Sequence, residues 1–284
     1  MSLRINHNIA AINTQRNLMR TSFDLSKSLQ KLSSGYRINT AADDPAGLVI
    51  SEQLRAQVGG LKAAVRNSQE AANLVGIAEG ALQEINDTLV SIRALALHAA
   101  NTGVVGSDQV AADQAEVDNA ITSIGRIAAI TRYAGDQVFD DVSRGFHIGE
   151  GTAAGDSVTF QFNSLAVSTG GNLSMLGMLT SDVLGTLTLA SHAGSAVGVI
   201  DDAISYVSAL RGRLGAFQKN TLQTNINSLS VAIENVTATE SFIRDANMAV
   251  ETSEFTKNQI LVQAGTAVLA QSNLASQNVL TLLA

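Results

Sequence analysis

Apolar residues recur at spacings of three and four along most of this chain, which is the spacing that lines one face of a helix. In the first stretch the positions are Ile5, Ile9 and Ile12, then Met19 and Phe23, then Leu25, Leu29 and Leu32. Arg16, Arg20, Asp24, Lys27 and Lys31 fall between them. The pattern predicts an amphipathic helix from about residue 5 to 36, with Gly35 as its stop. A polar, aspartate-rich break follows from Asn39 to Gly47 and holds the single proline, Pro45. Either Asp43 or Asp44 suits the cap of a new helix beginning at Pro45. A carboxylate satisfies the free amides there, and proline lacks the amide that would go unused.

The next helix, about residues 45–100, has the clearest periodicity in the chain. Leu61, Ser68, Val75, Leu82, Leu89 and Ala96 are spaced by seven, and so are Ala64, Ala71, Ala78, Ile85, Ile92 and Ala99. Together they form a coiled-coil-like seam whose many Ala and Ser positions allow close helix approach. A helix of about 50 residues reaches roughly 75 Å and has to pack side by side with others. Gly59, Gly60, Gly76 and Gly80 weigh against its being unbroken, at about 1 kcal/mol each relative to Ala.

A shorter helix is predicted from Val110, Val117, Ile121, Ile124 and Ala128, ending near Tyr133–Gly135. Between about residues 137 and 193 the chain becomes rich in Gly, Thr, Ser and Val. Ser157–Phe162 and Thr186–Leu189 alternate as strands do, which predicts a small insert of two to four strands. Helix returns from about Ala196 to Ala238 through Ile200, Ile204, Val207, Leu214, Leu222, Ile226, Leu229, Ile233 and Val236. It breaks again at 239–247 and resumes over 248–284 with Phe255, Ile260, Ala264, Ala267 and Val268. The chain closes on Val279, Leu280, Leu282 and Leu283, an apolar end that needs a cover. The fold class is therefore mainly α, with long antiparallel helices in a coiled-coil-like bundle and a small hairpin-rich insert. One domain joins residues 1–44 to 244–284 by pairing the terminal helices, and residues 45–243 form a second.

Composition narrows the function by exclusion. With 18 basic and 25 acidic residues the net charge is −7, which disfavours nucleic acid as a partner. Cysteine is absent, so there is no disulfide framework, thiol nucleophile or thiolate metal site. No stretch of about 18 apolar residues predicts membrane insertion, and the first residues do not read as a conventional signal peptide. His7, His98, His147 and His192 form no ligand motif. Gly149, Gly151 and Gly155 lack a phosphate-loop spacing. Asp43–Asp44, Asp140–Asp141 and Asp201–Asp202 each lie beside Gly, Pro or an element boundary, where Asp commonly caps a helix or closes a turn. The residues thus predict neither an enzyme nor a cofactor or metal site.

Several blocks carry a family likeness. They are Ile5–Asn13, Leu29–Asn39, Ala41–Leu48 and Arg66–Glu70 on one side, and Arg213–Gln218, Ile243–Met248 and Gln277–Leu283 on the other. In this order they resemble bacterial flagellin, over about the first 135 and last 85 residues. The resemblance implies an inner domain of paired terminal helices, a second domain of long helices, and a central insert too short for large outer domains. It implies polymerisation into an extracellular helical filament after export as an unfolded chain. The implied partners are further copies, hook-junction and cap proteins, and a cytoplasmic export chaperone. Assembly then rests on the terminal stripes and the Asp43–Gly47 break. Flagellins that activate the toll-like flagellin receptor present an Arg, a Leu and a Glu, and Arg93, Leu97 and Glu116 occupy those places. A hook–filament junction protein, and a secreted adhesin or immune ligand, are the alternative readings.

Overall fold

The computed structural model describes residues 8–101, 103–140, 143–151, 154–162 and 189–283, with the backbone alone for the helical segments 189–195 and 275–283. The first helix, α1, spans Ile9–Ser34. The Asn8 side chain caps it by accepting from the Ala11 amide at 3.1 Å. Gly35 ends it in the left-handed region (φ 76°), where the lack of a Cβ removes the steric penalty, and its amide donates to the Lys31 carbonyl. Residues 5–7 of the predicted helix, Ile5 among them, lie outside the described residues.

The long helix α2 runs Pro45–Ala99 without a break. All twelve heptad positions named above are buried, none more than 4% exposed. Burial of a continuous face outweighs the propensity cost of Gly59, Gly60, Gly76 and Gly80. Of these, Gly60 also lets the turn at Glu150 approach, since a Cβ there would stand 3.5 Å from the Glu150 carbonyl oxygen. Helix α3, Ser107–Ile130, adds Val110, Val117, Ile124 and Ala128 to this core.

α3 stops at Ile130, three residues short of the predicted end. A tight hairpin takes over, with β1 (Arg132–Tyr133) paired to β2 (Asp136–Gln137). Its two turn residues, Ala134 and Gly135, both have positive φ (53° and 98°), the geometry that matches the twist of a two-residue hairpin. Strands β3 (Ser143–His147) and β4 (Ser157–Gln161) form a second antiparallel hairpin, with Arg144 opposite Phe160 and Phe146 opposite Val158. The Ser157–Phe162 strand prediction therefore holds. Residues 186–188 of the second predicted strand are outside the described residues. Leu189 opens helix α4 (Leu189–Ala216), so residues 189–193 are helical rather than part of the β-rich insert. Alanines favour that start, and the helix runs on into the buried face of Ala196, Ile200, Ala203, Val207, Leu210 and Leu214.

A π-helical turn over Phe217–Gln223 joins α4 to helix α5, Thr224–Arg244. Its buried residues, Phe217 and Leu222, are five apart, which the wider π turn keeps on one face. Phe217 closes an aromatic cluster, 4.9 Å from Phe160 and 6.1 Å from Phe146 between ring centroids. The last helix, α6, spans Met248–Leu283. The chain divides into two compact units, residues 1–58 with 234–284, and residues 59–233.

Candidate functional site

Within the first unit, α1 and α6 pack against each other as an antiparallel pair. Apart from Lys27 and Lys31, the half-buried or buried positions of α1 fall on a strict alternation of three and four: Ala11, Thr14, Leu18, Thr21, Leu25, Ser28 and Leu32. On α6 the matching run is Glu251, Phe255, Asn258, Val262, Gly265, Leu269 and Ser272. Three contacts fix how the helices lie. Asn8 donates to the Ser272 carbonyl at 3.0 Å, Leu18 packs over Gly265, and Lys31 pairs with Glu251 at 3.6 Å.

This seam is not the stripe expected from the large residues. Leu25 and Leu32 lie on it, whereas Ile9, Ile12, Met19, Phe23 and Leu29 point away and are 56% to 70% exposed. On α6 the same division leaves Ile260 and Val268 outside, more than half exposed, with Met248, Val250, Leu261 and Leu274. α1 and α6 thus meet through small and polar residues mixed with a few large ones, and the pair keeps most of its bulky apolar surface for something else. The side chains of Leu280, Leu282 and Leu283 are outside those described, although α6 reaches Leu283.

The two breaks are bound to each other. The Arg37 amide donates to the Arg244 carbonyl at 2.7 Å, and the Ala246 amide to the Gly35 carbonyl at 2.9 Å, with Tyr36 bridged to Asp245. The Arg244 guanidinium lies 4.7 Å over the Tyr36 ring and reaches Glu52 at 2.9 Å, while the Arg37 guanidinium donates to the Ile243 carbonyl. Polar side chains therefore satisfy backbone that no helix serves.

Asp43 and Asp44 divide the work at the first break. Asp44 caps α2, accepting from the Gly47 amide at 2.9 Å, and Pro45 takes the exposed first helical position. Gly47 is buried, and a Cβ there would overlap the Asp44 carboxylate and come within 2.8 Å of Ile38 Cδ1, so the site as built has no room for a side chain. Asp43 instead gathers the Asn39 and Thr40 amides, the Thr40 hydroxyl and, at 2.7 Å, the Lys27 ammonium of α1. Its hydrogen bond from Lys27 comes first among the causes that hold its carboxyl far below the usual carboxylate range. The same bond raises the Lys27 pKa.

A carboxyl depressed in the folded state stabilises above its unfolded pKa of about 4, and that contribution is lost as pH falls further. The lysine's share is present below about 10.5 and is lost as pH rises through its elevated value. Asp43→Asn is expected to flatten the acid limb of stability. Between about pH 5 and about pH 2 its urea midpoint falls less than the parent's. Superimposable limbs for the two proteins would show that Asp43 does not control this behaviour.

In the second unit Arg93 forms an ion pair with Asp201 at 2.5 Å, across from α2 to α4, and the hydrogen bond it donates to Asp201 raises the Arg93 pKa. Leu97, one turn on, is 56% exposed, and Glu116 on α3 is exposed. His98 contacts Asp113 at 2.7 Å. Among the described residues no three His, Asp or Glu side chains gather as a metal site, and no helix is long and apolar enough to cross a membrane. The features built into the first unit are an exposed apolar pair of terminal helices and a clasp between breaks, the equipment of self-association.

Comparison with known proteins agrees with that geometry. Residues 5–144 match the bacterial flagellin N-terminal helical region, and residues 197–283 match the bacterial flagellin C-terminal helical region. The chain belongs to the bacterial flagellin family. This flagellin is 38% identical over 290 residues to the flagellar filament 33 kDa core protein of Treponema phagedenis, covering 98% of this chain and 99% of that one. It is 39% identical over 305 residues to the flagellin of Bacillus subtilis (strain 168), covering 99% and 100%. A solved Vibrio parahaemolyticus protein described as flagellar hook-associated shares 15% identity over 71% of this chain, with a TM-score of 0.58, a likeness of fold. Coverage of nearly the whole length places the terminal pair, the breaks and the long-helix core of this flagellin inside the shared region.

Proposed function

We propose that this flagellin polymerises into the extracellular helical filament of a bacterial flagellum and serves motility as its structural subunit. The observation that carries the reading is the pair α1/α6, which closes internally through a mixed seam and leaves Ile9, Ile12, Met19, Phe23, Ile260 and Val268 uncovered. An apolar surface of that kind favours a protein neighbour over water. When each copy covers part of the next and presents the same surface again, association does not close and a filament results. Export as an unfolded chain, an accompanying chaperone, and cap and hook-junction partners belong to the same proposal, since a surface built for copies must be kept from premature association. Addition of purified subunits to short filament seeds tests the reading. A filament subunit elongates them continuously, a junction protein adds few copies, and an adhesin adds none.

Arg93, Leu97 and Glu116 carry a second, narrower proposal. Arg93 has a structural role first, tying α2 to α4 through Asp201. Contact with the toll-like flagellin receptor would add to that role, because Leu97 and Glu116 are accessible and Arg93 is only partly covered. With the fold intact by circular dichroism, Arg93→Ala is expected to lower receptor signalling about tenfold or more, the loss usual for a charged anchor at an interface. Undiminished signalling removes the receptor role and leaves the ion pair.

A further inference from the structure

The seam between α1 and α6 alternates in a way that bulk hydrophobicity does not require. Along α1, Leu18, Leu25 and Leu32 alternate with Thr14, Thr21 and Ser28. Along α6 the phases are reversed. The Leu18 contact with Gly265 and the Lys31–Glu251 pair set an antiparallel register. In that register Gly265, Asn258 and Glu251 stand level with the three leucines, and Leu269, Val262 and Phe255 stand level with the threonines and the serine. Each layer therefore takes one large residue, supplied by α1 in one layer and by α6 in the next.

We propose that this alternation is a register code for the terminal pair, with Leu18/Gly265 and Ser28/Phe255 as its specificity-determining layers, a proposal that rests on the filament reading above. Sliding one helix by half a heptad sets leucine against leucine, valine or phenylalanine in half the layers and leaves the other half without a large residue. Both errors cost packing. A slip by a whole heptad keeps the alternation, and a second device excludes it. The clasp between Gly35–Arg37 and Ile243–Ala246 holds one end of the pair like a non-covalent hairpin turn, and Lys31 meets Glu251 only in this heptad. The layer code thus sets the phase, and the clasp sets which heptad. The outward stripes of both helices then come to one fixed relative position, which repeated copies require.

Gly265 is the position at which two physical rules give opposite signs. In an isolated helix leucine is the better residue. Here even a Cβ would lie 3.2 Å from Leu18 Cδ1, so a full leucine overfills the layer. The chain has no cysteine, so introduced Thr21→Cys and Val262→Cys form the only possible disulfide within one chain, and that bond reports the register. Seeded growth and the yield of internally cross-linked monomer on a non-reducing gel are measured in that background. Growth of the unmodified chain tests the filament reading separately. Gly265→Leu is expected to cut both readouts about tenfold or more. Adding Leu18→Ala, which reverses the layer, is expected to restore both. Parent-like values for Gly265→Leu overturn the proposal, and so does a deficit that Leu18→Ala does not relieve.

Discussion

Met19→Asp with Phe23→Asp is expected to stop filament growth while leaving the isolated subunit folded. Both residues sit on the outward side of α1, at 61% and 70% exposure, and neither belongs to the seam with α6. Aspartate at these positions disturbs no intrachain packing, so helical content and the urea midpoint of the free subunit should match the parent. Burying a Met or Phe side chain is worth about 1.5–3 kcal/mol. Losing two therefore weakens each addition by about 3–6 kcal/mol, or roughly 10²- to 10⁴-fold in association, before any cost of burying carboxylates. Sedimentation of polymer from seeded solutions measures the concentration needed for growth. A rise of less than about tenfold would show that this face is not what neighbouring copies cover.

Much of the second unit was legible in the sequence because the face that α2 turns to the core keeps one spacing over its length. Residues at heptad spacing on α2 are buried along the whole run, and the insert strand at Ser157–Gln161 follows the alternation that strands impose. The first unit was legible in its elements but not in its faces. Selecting the large residues of α1 picks out Ile9, Ile12, Met19, Phe23 and Leu29, whereas the intrachain contact uses Thr14, Thr21 and Ser28 between leucines. A hydrophobic pattern weighs surfaces by apolarity and takes the internal one to be the greasier. In a subunit with two kinds of partner surface that ranking reverses. The available signal was the strict three-four spacing from Ala11 to Leu32 and again from Glu251 to Ser272. Tertiary packing also settled what local pattern left open, giving the cap of α2 to Asp44 and leaving Asp43 to Lys27.

Leu89→Ala and Leu97→Ala place the same substitution eight residues apart on one helix, and their effects on stability should differ by several kcal/mol. Leu89 is 0% exposed in the core that α2 shares with α3, α4 and the hairpins, and Leu97 is 56% exposed. Removing Leu89 forfeits its transfer free energy and leaves a cavity between long helices that cannot close independently of their neighbours, a loss of about 2–5 kcal/mol. For a unit of this size that lowers the midpoint of thermal unfolding by roughly 2–4 °C per kcal/mol. Leu97→Ala gains slightly in helix propensity, loses little burial, and should stay within about 0.5 kcal/mol of the parent. Urea titrations of the two variants, followed by far-ultraviolet circular dichroism, measure the difference. Equal losses would mean that burial along the α2 seam does not set the stability of this unit. A large loss confined to Leu89 would show that the heptad positions hold the long helix together despite the glycines in its interior.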